Sequence, residues 1–364
     1  MRVKPVAVLY QAFPPPPIGG IVKPFKPGGY RDSGADIAHA LKSQGVDLIT
    51  PVSQPRPEYQ DDWVFADNEP GINEAVALGA EVVWLNTTLY RNHPIRSLMN
   101  RIAVVGQDPA QVDQFEDKWV MHQWLTDKGY LVPAAEIARG FSHETRKLVA
   151  RFVDRYRVVI VKPVRGRGSQ GVFKCHGLDE VWRRLSHWDR GGLGEAVLIE
   201  QYLPGTEVTI AVLPPGCYRH QSGLHMADRH WCLPAVFREG HQEGIVPYSG
   251  IVPVTANSWL GAITSAPLEA LNDECAAIGT GLGTRAPLRI DARADQMGQY
   301  RIIDVNFKPN LTGPGRPNRD NQASLVTIAA QGVGWDYRLL IENLARQWWT
   351  PVNEQMNDDI CREG

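Results

Sequence analysis

Apolar residues along the chain gather in short runs of strand length, separated by stretches with helical spacing. Val3 to Tyr10 is the first run and Val46 to Val52 the second, each matching a buried strand. Between them Ser33 to Gly45 predicts a helix: Ser33 as cap, Asp36 as capping-box acid, Ile37, Ala40 and Leu41 as apolar stripe, and Gly45 as stop. Gly71 to Gly79 predicts another helix and Glu81 to Leu85 another strand. This βαβ alternation predicts an α/β first domain with a parallel sheet. Gln107-Asp108-Pro109 marks a boundary, after which Val112 to Gly129 reads as one helix with Trp119 and Trp124 available for the core. The division expected is residues 1–108, 109–195 and 196–364.

The clearest two-residue alternation comes late, at Pro287 to Ala292 and Gln299 to Asn306, around a polar turn from Asp295 to Gly298. Side chains two apart share a face, so a hairpin there places Arg289, Asp291, Asp304 and Asn306 together. Crowded carboxylates repel one another unless a cation joins them. An all-oxygen set of this kind suits Mg2+, which keeps water and borrows phosphate oxygens. The alternative is a solvated polar face on an exposed hairpin.

Composition narrows the setting. The chain has 364 residues, 21% charged, with a formal net charge of -2, which gives no footprint for nucleic acid or anionic membrane. Arg2 to Leu9 reads as a first strand rather than a signal peptide, and no apolar run reaches the length of a membrane span. Cys175, Cys217, Cys232, Cys275 and Cys361 include no Cys-x-x-Cys pair, so reduced thiols in a cytoplasmic protein are expected. The spacing of His220, His225 and His230 matches no usual zinc pattern.

Phosphate chemistry is indicated in the middle of the chain. The strand Val158 to Val161 ends in Lys162-Pro163 and runs into Arg165-Gly166-Arg167-Gly168-Ser169-Gln170-Gly171-Val172. Glycines there expose backbone N–H groups beside a lysine, a workable cradle, although an ordinary hairpin turn reads similarly. It is neither a Walker loop nor a dinucleotide fingerprint. Ala196 to Tyr202 is a strand ending in Glu200-Gln201-Tyr202 and continuing as an extended linker whose backbone suits an adenine edge, with Glu207 placed for ribose hydroxyls. In the first domain the loop from Gln11 to Ser33 is long enough to be functional, with Arg31, Asp32 and Ser33 near a substrate, or with Asp32 and Ser33 only capping the helix.

In order, Asp117-Lys118, Val161-Lys162-Pro163 with Gly168-Ser169-Gln170-Gly171-Val172, Glu200-x-Tyr202-Leu203-x-Gly205-x-Glu207, Arg289-x-Asp291, and Asp304-x-Asn306 with Pro309 resemble the ATP-grasp superfamily, most closely its D-alanine–D-alanine ligase branch. The resemblance implies an ATP-grasp fold, with a parallel α/β domain followed by central and C-terminal lobes that clasp the nucleotide. It also implies an ATP-dependent carboxylate–amine ligase working through an acyl phosphate in a homodimer. By the same resemblance Lys118, Lys162, Gly168, Ser169, Gly171 and Val172 would hold ATP phosphates, while Glu200, Tyr202, Leu203 and Glu207 would receive adenine and ribose. Asp291, Asp304 and Asn306 would ligate two Mg2+, and Arg289 and Ser169 would serve catalysis. Tyr248, Asn310 and Ser324 join Arg31, Asp32 and Ser33 as substrate-side candidates.

The sequence departs from that pattern in several places. Asp304 stands where glutamate is usual, and Pro309-Asn310 replaces Pro-Gly. Gly313 to Gln322 reads as an insertion, and Tyr248 lacks its usual lysine neighbour, with Arg238 or His241 as substitutes. The small-molecule substrates expected are therefore not two D-alanines. Two other readings stay open at this point: an ATP-grasp kinase without ligation, and a nucleotide-binding module without catalysis.

Overall fold

A computed structural model describes residues 4–17, 25–140, 142–166, 168–186, 196–246, 254–261 and 265–351. The first sheet is parallel, in the order β2-β1-β3-β4, from β1 (Val6–Tyr10), β2 (Phe65–Ala66), β3 (Val82–Trp84) and β4 (Ala103–Val105). Between its strands run α1 (Arg31–Ser43) and α2 (Glu69–Ala77). Two expectations change here. Val46 to Val52 is not a strand: only Leu48 bridges, to Val6, because Thr50 and Val52 turn away in a hydrogen-bonded bend. Asp36 does not cap α1; it is fully buried and ion-paired with Arg316 and Arg319 of the Gly313 to Gln322 segment.

The expected long helix is two, α3 (Pro109–Phe115) and α4 (Lys118–Asp127). Asp108 caps the first and Asp117 the second, and each Oδ1 accepts two backbone N–H groups. Apolar spacing continues across the break, so periodicity hid it.

The second sheet, in the order β5-β8-β6-β7, is antiparallel: β5 (Ala135–Arg139), β6 (Val158–Pro163), β7 (Phe173–His176) and β8 (Ala196–Gln201). It is covered by α5 (His143–Tyr156) and α6 (Leu178–Leu185). Residues 196–201 were expected to open the third lobe, but β8 lies between β5 and β6, so by sheet membership it belongs to the middle one.

The third sheet orders as β14-β13-β9-β15-β16, with β12 also on β9. Its members are β9 (Glu207–Leu213), β12 (Trp231–Cys232), β13 (Val236–Arg238), β14 (Ser258–Leu260), β15 (Leu288–Ala294) and β16 (Tyr300–Asn306). A separate hairpin joins β10 (Gly216–His220) to β11 (Gly223–Ala227). Packed against this lobe are α7 (Ala266–Leu282), α8 (Leu325–Gln331) and α9 (Tyr337–Ala345).

The cores show how the lobes combine. One apolar cluster mixes Ala7, Leu9 and Val83 of the first sheet with Val208, Leu288 and Ile290 of the third. Another joins Val6, Val8 and Leu41 to Leu213, Trp335 and Leu340. The middle lobe keeps its own core around Val149, Phe152, Val159, Val161 and Ile199. Among the described residues Cys175, Cys232 and Cys275 are free thiols. Among the described residues no helix is long and apolar enough to cross a membrane.

Candidate active site

The late hairpin forms as its alternation predicts, and Asp295 fixes the turn by accepting the N–H groups of Met297 and Gln299 at 2.9 and 3.1 Å. Pairing puts Arg289 opposite Asn306 and Asp291 opposite Asp304, with a register shift just after Asp291. Arg289 grips Asp291 through Nε and Nη2, at 3.2 and 2.9 Å. On the neighbouring strand Thr209 sits opposite Asp291 and donates to Oδ1 at 2.6 Å. Thr209 escaped the sequence reading because a buried threonine in an apolar strand carries no local signal.

Two lysines from other parts of the fold meet this face. The Asp117 cap makes Lys118 the first residue of α4; its N–H donates to the Val164 carbonyl at 2.9 Å, and its Nζ bonds Asp304. Lys162, at the end of β6 and nearly buried, reaches Glu200 Oε2 at 2.7 Å and the Ile303 carbonyl at 2.9 Å. A narrow cleft contains these four charged groups, with Phe115, Met121, Leu125 and Ile302 among its apolar walls. Low-dielectric surroundings strengthen such ion pairs and make an unmatched charge costly.

Burial alone would raise the Asp304 carboxyl, but Lys118 and Lys162 outweigh it and hold the group at about 2, below its ordinary 3.8. Burial pulls the Lys118 ammonium down; Asp304, Glu200 and Asp291 more than offset this and leave it above the ordinary lysine value. A depressed carboxylate stabilises the fold above its unfolded pKa and loses that contribution as pH falls to its folded one. Between about pH 4 and pH 2, Asp304→Asn should therefore lose roughly 1–2 kcal/mol less stability than the parent, read from urea midpoints at each pH.

The glycine loop places Gly168, Ser169 and Gly171 in the left-handed region, at φ of 56°, 58° and 72°. Ser169 Oγ donates across to the Val246 carbonyl at 3.3 Å, and Val172 N–H closes the turn on the Ser169 carbonyl at 3.2 Å. Leu203 is buried at the crossing from β8 to β9. Glu207 faces His241 at 3.1 Å, and Tyr202 Oη accepts from Arg293 at 3.2 Å. His241 thus meets the carboxylate assigned to ribose.

The remaining substrate-side candidates divide. Arg31 stacks over Tyr10 at 4.1 Å and pairs with Asp61 at 2.7 Å; Asp32 holds Lys26 at 3.1 Å. Ser33 is buried and donates to the Tyr30 carbonyl at 3.1 Å. Asn306 Oδ1 accepts the Lys308 N–H at 3.0 Å, and Asn310 Oδ1 accepts from Thr312, so both shape the turn after β16. Ser324 caps α8. Tyr248 lies outside the described residues. Sequence reasoning missed Lys308, which crosses to the first domain, reaching Asn86 Oδ1 at 3.2 Å and lying 3.5 Å from the Tyr30 ring centre.

Comparison with known proteins agrees with this architecture. The model of the ATP-grasp domain matches residues 115–221. The D-alanine–D-alanine ligase of Gloeobacter violaceus is 28% identical over 236 residues, 63% of this chain and 67% of that protein. The enzyme of that name from a Marinomonas species is 27% identical, over 53% of this chain and 54% of its own length. Among solved structures, the D-alanine–D-alanine ligase of Bacillus anthracis complexed with ATP superposes with a TM-score of 0.62 at 14% identity, covering 94% of this chain and 97% of that one. The biotin carboxylase domain of the Hydrogenobacter thermophilus 2-oxoglutarate carboxylase, solved with MgADP, gives 0.63 at 13% identity, covering 95% and 70%. Residues 115–221 thus match the ATP-grasp domain, and the chain as a whole shares the fold of these structures. In sequence it is D-alanine–D-alanine ligase-like.

Proposed function

We propose that the chain is an ATP-dependent carboxylate–amine ligase, which forms an amide bond between two small molecules and releases ADP and phosphate. The observation that carries this reading is the convergence of Lys118 and Lys162, from α4 and the middle lobe, on the hairpin face of Arg289, Asp291, Asp304 and Asn306. Phosphoryl transfer asks a protein mainly for positioning and charge neutralisation, and this face supplies both. The lysines hold the phosphates, the loop at Gly168, Ser169, Gly171 and Val172 covers them, and the 200–207 crossing takes adenine and ribose.

Two carboxylates and an amide oxygen on one face fit Mg2+, and the carboxylates already sit among matching cations. When bound, Mg2+ would neutralise charge on the phosphate oxygens; Asp291, Asp304 and Asn306 would hold it. The γ-phosphoryl passes to an oxygen of the acid substrate, Arg289 stabilises the charge that develops, and the amine displaces phosphate from the acyl phosphate. Lys308, beside Tyr30 and Asn86, supports a substrate end where the first domain meets the hairpin. A homodimer acting on small molecules is the assembly this reading carries.

The test is a screen of ATP with pairs of amino acids and small carboxylic acids, following ADP by coupled assay and products by mass. At least one pair should give ADP and an amide in equal amounts. A phosphorylated acid or alcohol accumulating without any amide overturns ligation in favour of a kinase.

A further inference from the structure

Arg293, met so far only as the donor to Tyr202, is buried on the same strand, four residues beyond Arg289 and opposite Glu207 in the pairing. Its guanidinium holds separate pieces of chain at once. Nε donates to the Gly205 carbonyl at 3.1 Å and Nη2 to Tyr202 Oη at 3.2 Å, both in the crossing from β8 to β9. Nη1 donates to the Gly244 carbonyl at 2.6 Å and lies 3.6 Å from Glu207 Oε2. The segment around Gly244 also supplies His241 to Glu207 and the Val246 carbonyl to Ser169 of the glycine loop. Lys174 of β7 covers the Tyr202 ring at 4.2 Å.

We infer that Arg293 is a positioning residue that presets the adenine and ribose side of the nucleotide site. It ties the interlobe crossing at Tyr202, Gly205 and Glu207 to the Gly244 segment before the nucleotide arrives. This inference rests on the ligase reading of the same cleft. A planar fork with donors in fixed directions can serve these acceptors together; a lysine ammonium in its place keeps the charge but not the geometry. Preset groups bind more tightly because less ordering remains to be done on binding.

The experiment compares the parent with Arg293→Met, Arg293→Lys and Tyr202→Phe in calorimetric titrations with MgADP and, separately, with inorganic tripolyphosphate. Arg293→Met should weaken MgADP about ten- to hundredfold, with Arg293→Lys nearly as weak and Tyr202→Phe shifted less in the same direction. Tripolyphosphate, which has no adenosine, should bind all four proteins alike, whereas general damage to the fold would weaken both probes. In the ligase assay the KM for ATP should rise with kcat within about twofold. An unchanged MgADP affinity in Arg293→Met, or equal losses for both probes, overturns the inference. If Arg293→Met does not fold, Tyr202→Phe decides alone: parental MgADP affinity rejects the idea. MgADP binding retained in Lys162→Met would count against the nucleotide assignment itself and leaves the Arg293 comparison to be read separately.

Discussion

Lys162→Met should abolish turnover, with ADP formation reduced at least about a thousandfold in the coupled assay. The lysine ties the middle lobe to the hairpin through the Ile303 carbonyl and neutralises Glu200, whose side chain is as buried as its own. Removing it does two separable things. It takes a fixed cation from the proposed phosphate site, and it leaves Glu200 an uncompensated buried charge, costing about 3–5 kcal/mol of stability. The double variant Lys162→Met with Glu200→Gln tells these apart: most of the lost stability should return in a denaturant titration, and turnover should not. Recovery of ADP formation in the double variant would show that the lysine serves only to balance the glutamate.

The second large effect is expected far from the cleft. Asp36→Ala should destabilise the protein by about 3–5 kcal/mol in chemical denaturation. Asp36 is wholly buried, with Arg316 Nε at 2.8 Å and Arg319 Nε at 2.7 Å. Arg316 is itself buried and uses its other nitrogens on the Pro57 and Asp32 carbonyls, at 3.1 and 3.3 Å. Gly315 leaves no room for this cluster to relax, since a Cβ there would lie 2.4 Å from the Asp36 carbonyl oxygen. Truncating the carboxylate strands two cations in place. A loss below about 1 kcal/mol would place this cluster among weak surface pairs.

Those two sites also show what the sequence discloses and what it hides. The hairpin was legible to within about two residues because one of its faces is polar and the other apolar, so the alternation prints itself on the chain. The same period-two count that found Arg289 and Asp291 would have found Arg293 had it been carried one step further. Asp36 was misread because its spacing from Ser33 imitates a capping box, and the partners that claim it lie some 280 positions away. Distance along the chain likewise hid Thr209 and Lys308 from any local pattern. The break at Asp117 was lost for the opposite reason: Met121 and Leu125 carry the apolar stripe onward, so only the cap's hydrogen bonds reveal the new start. Placing Ala196–Gln201 in the wrong lobe followed from reading chain order as spatial order, which an inserted strand defeats.

Because the first and third sheets bury their apolar faces in common clusters, separating them would wet surface that the fold depends on. Their union is stitched further at the far end, where Trp349 bridges Val104 and Gln107 receives the Arg285 N–H. The middle lobe has oil of its own, so it can loosen locally without wetting the clusters that the other two sheets share.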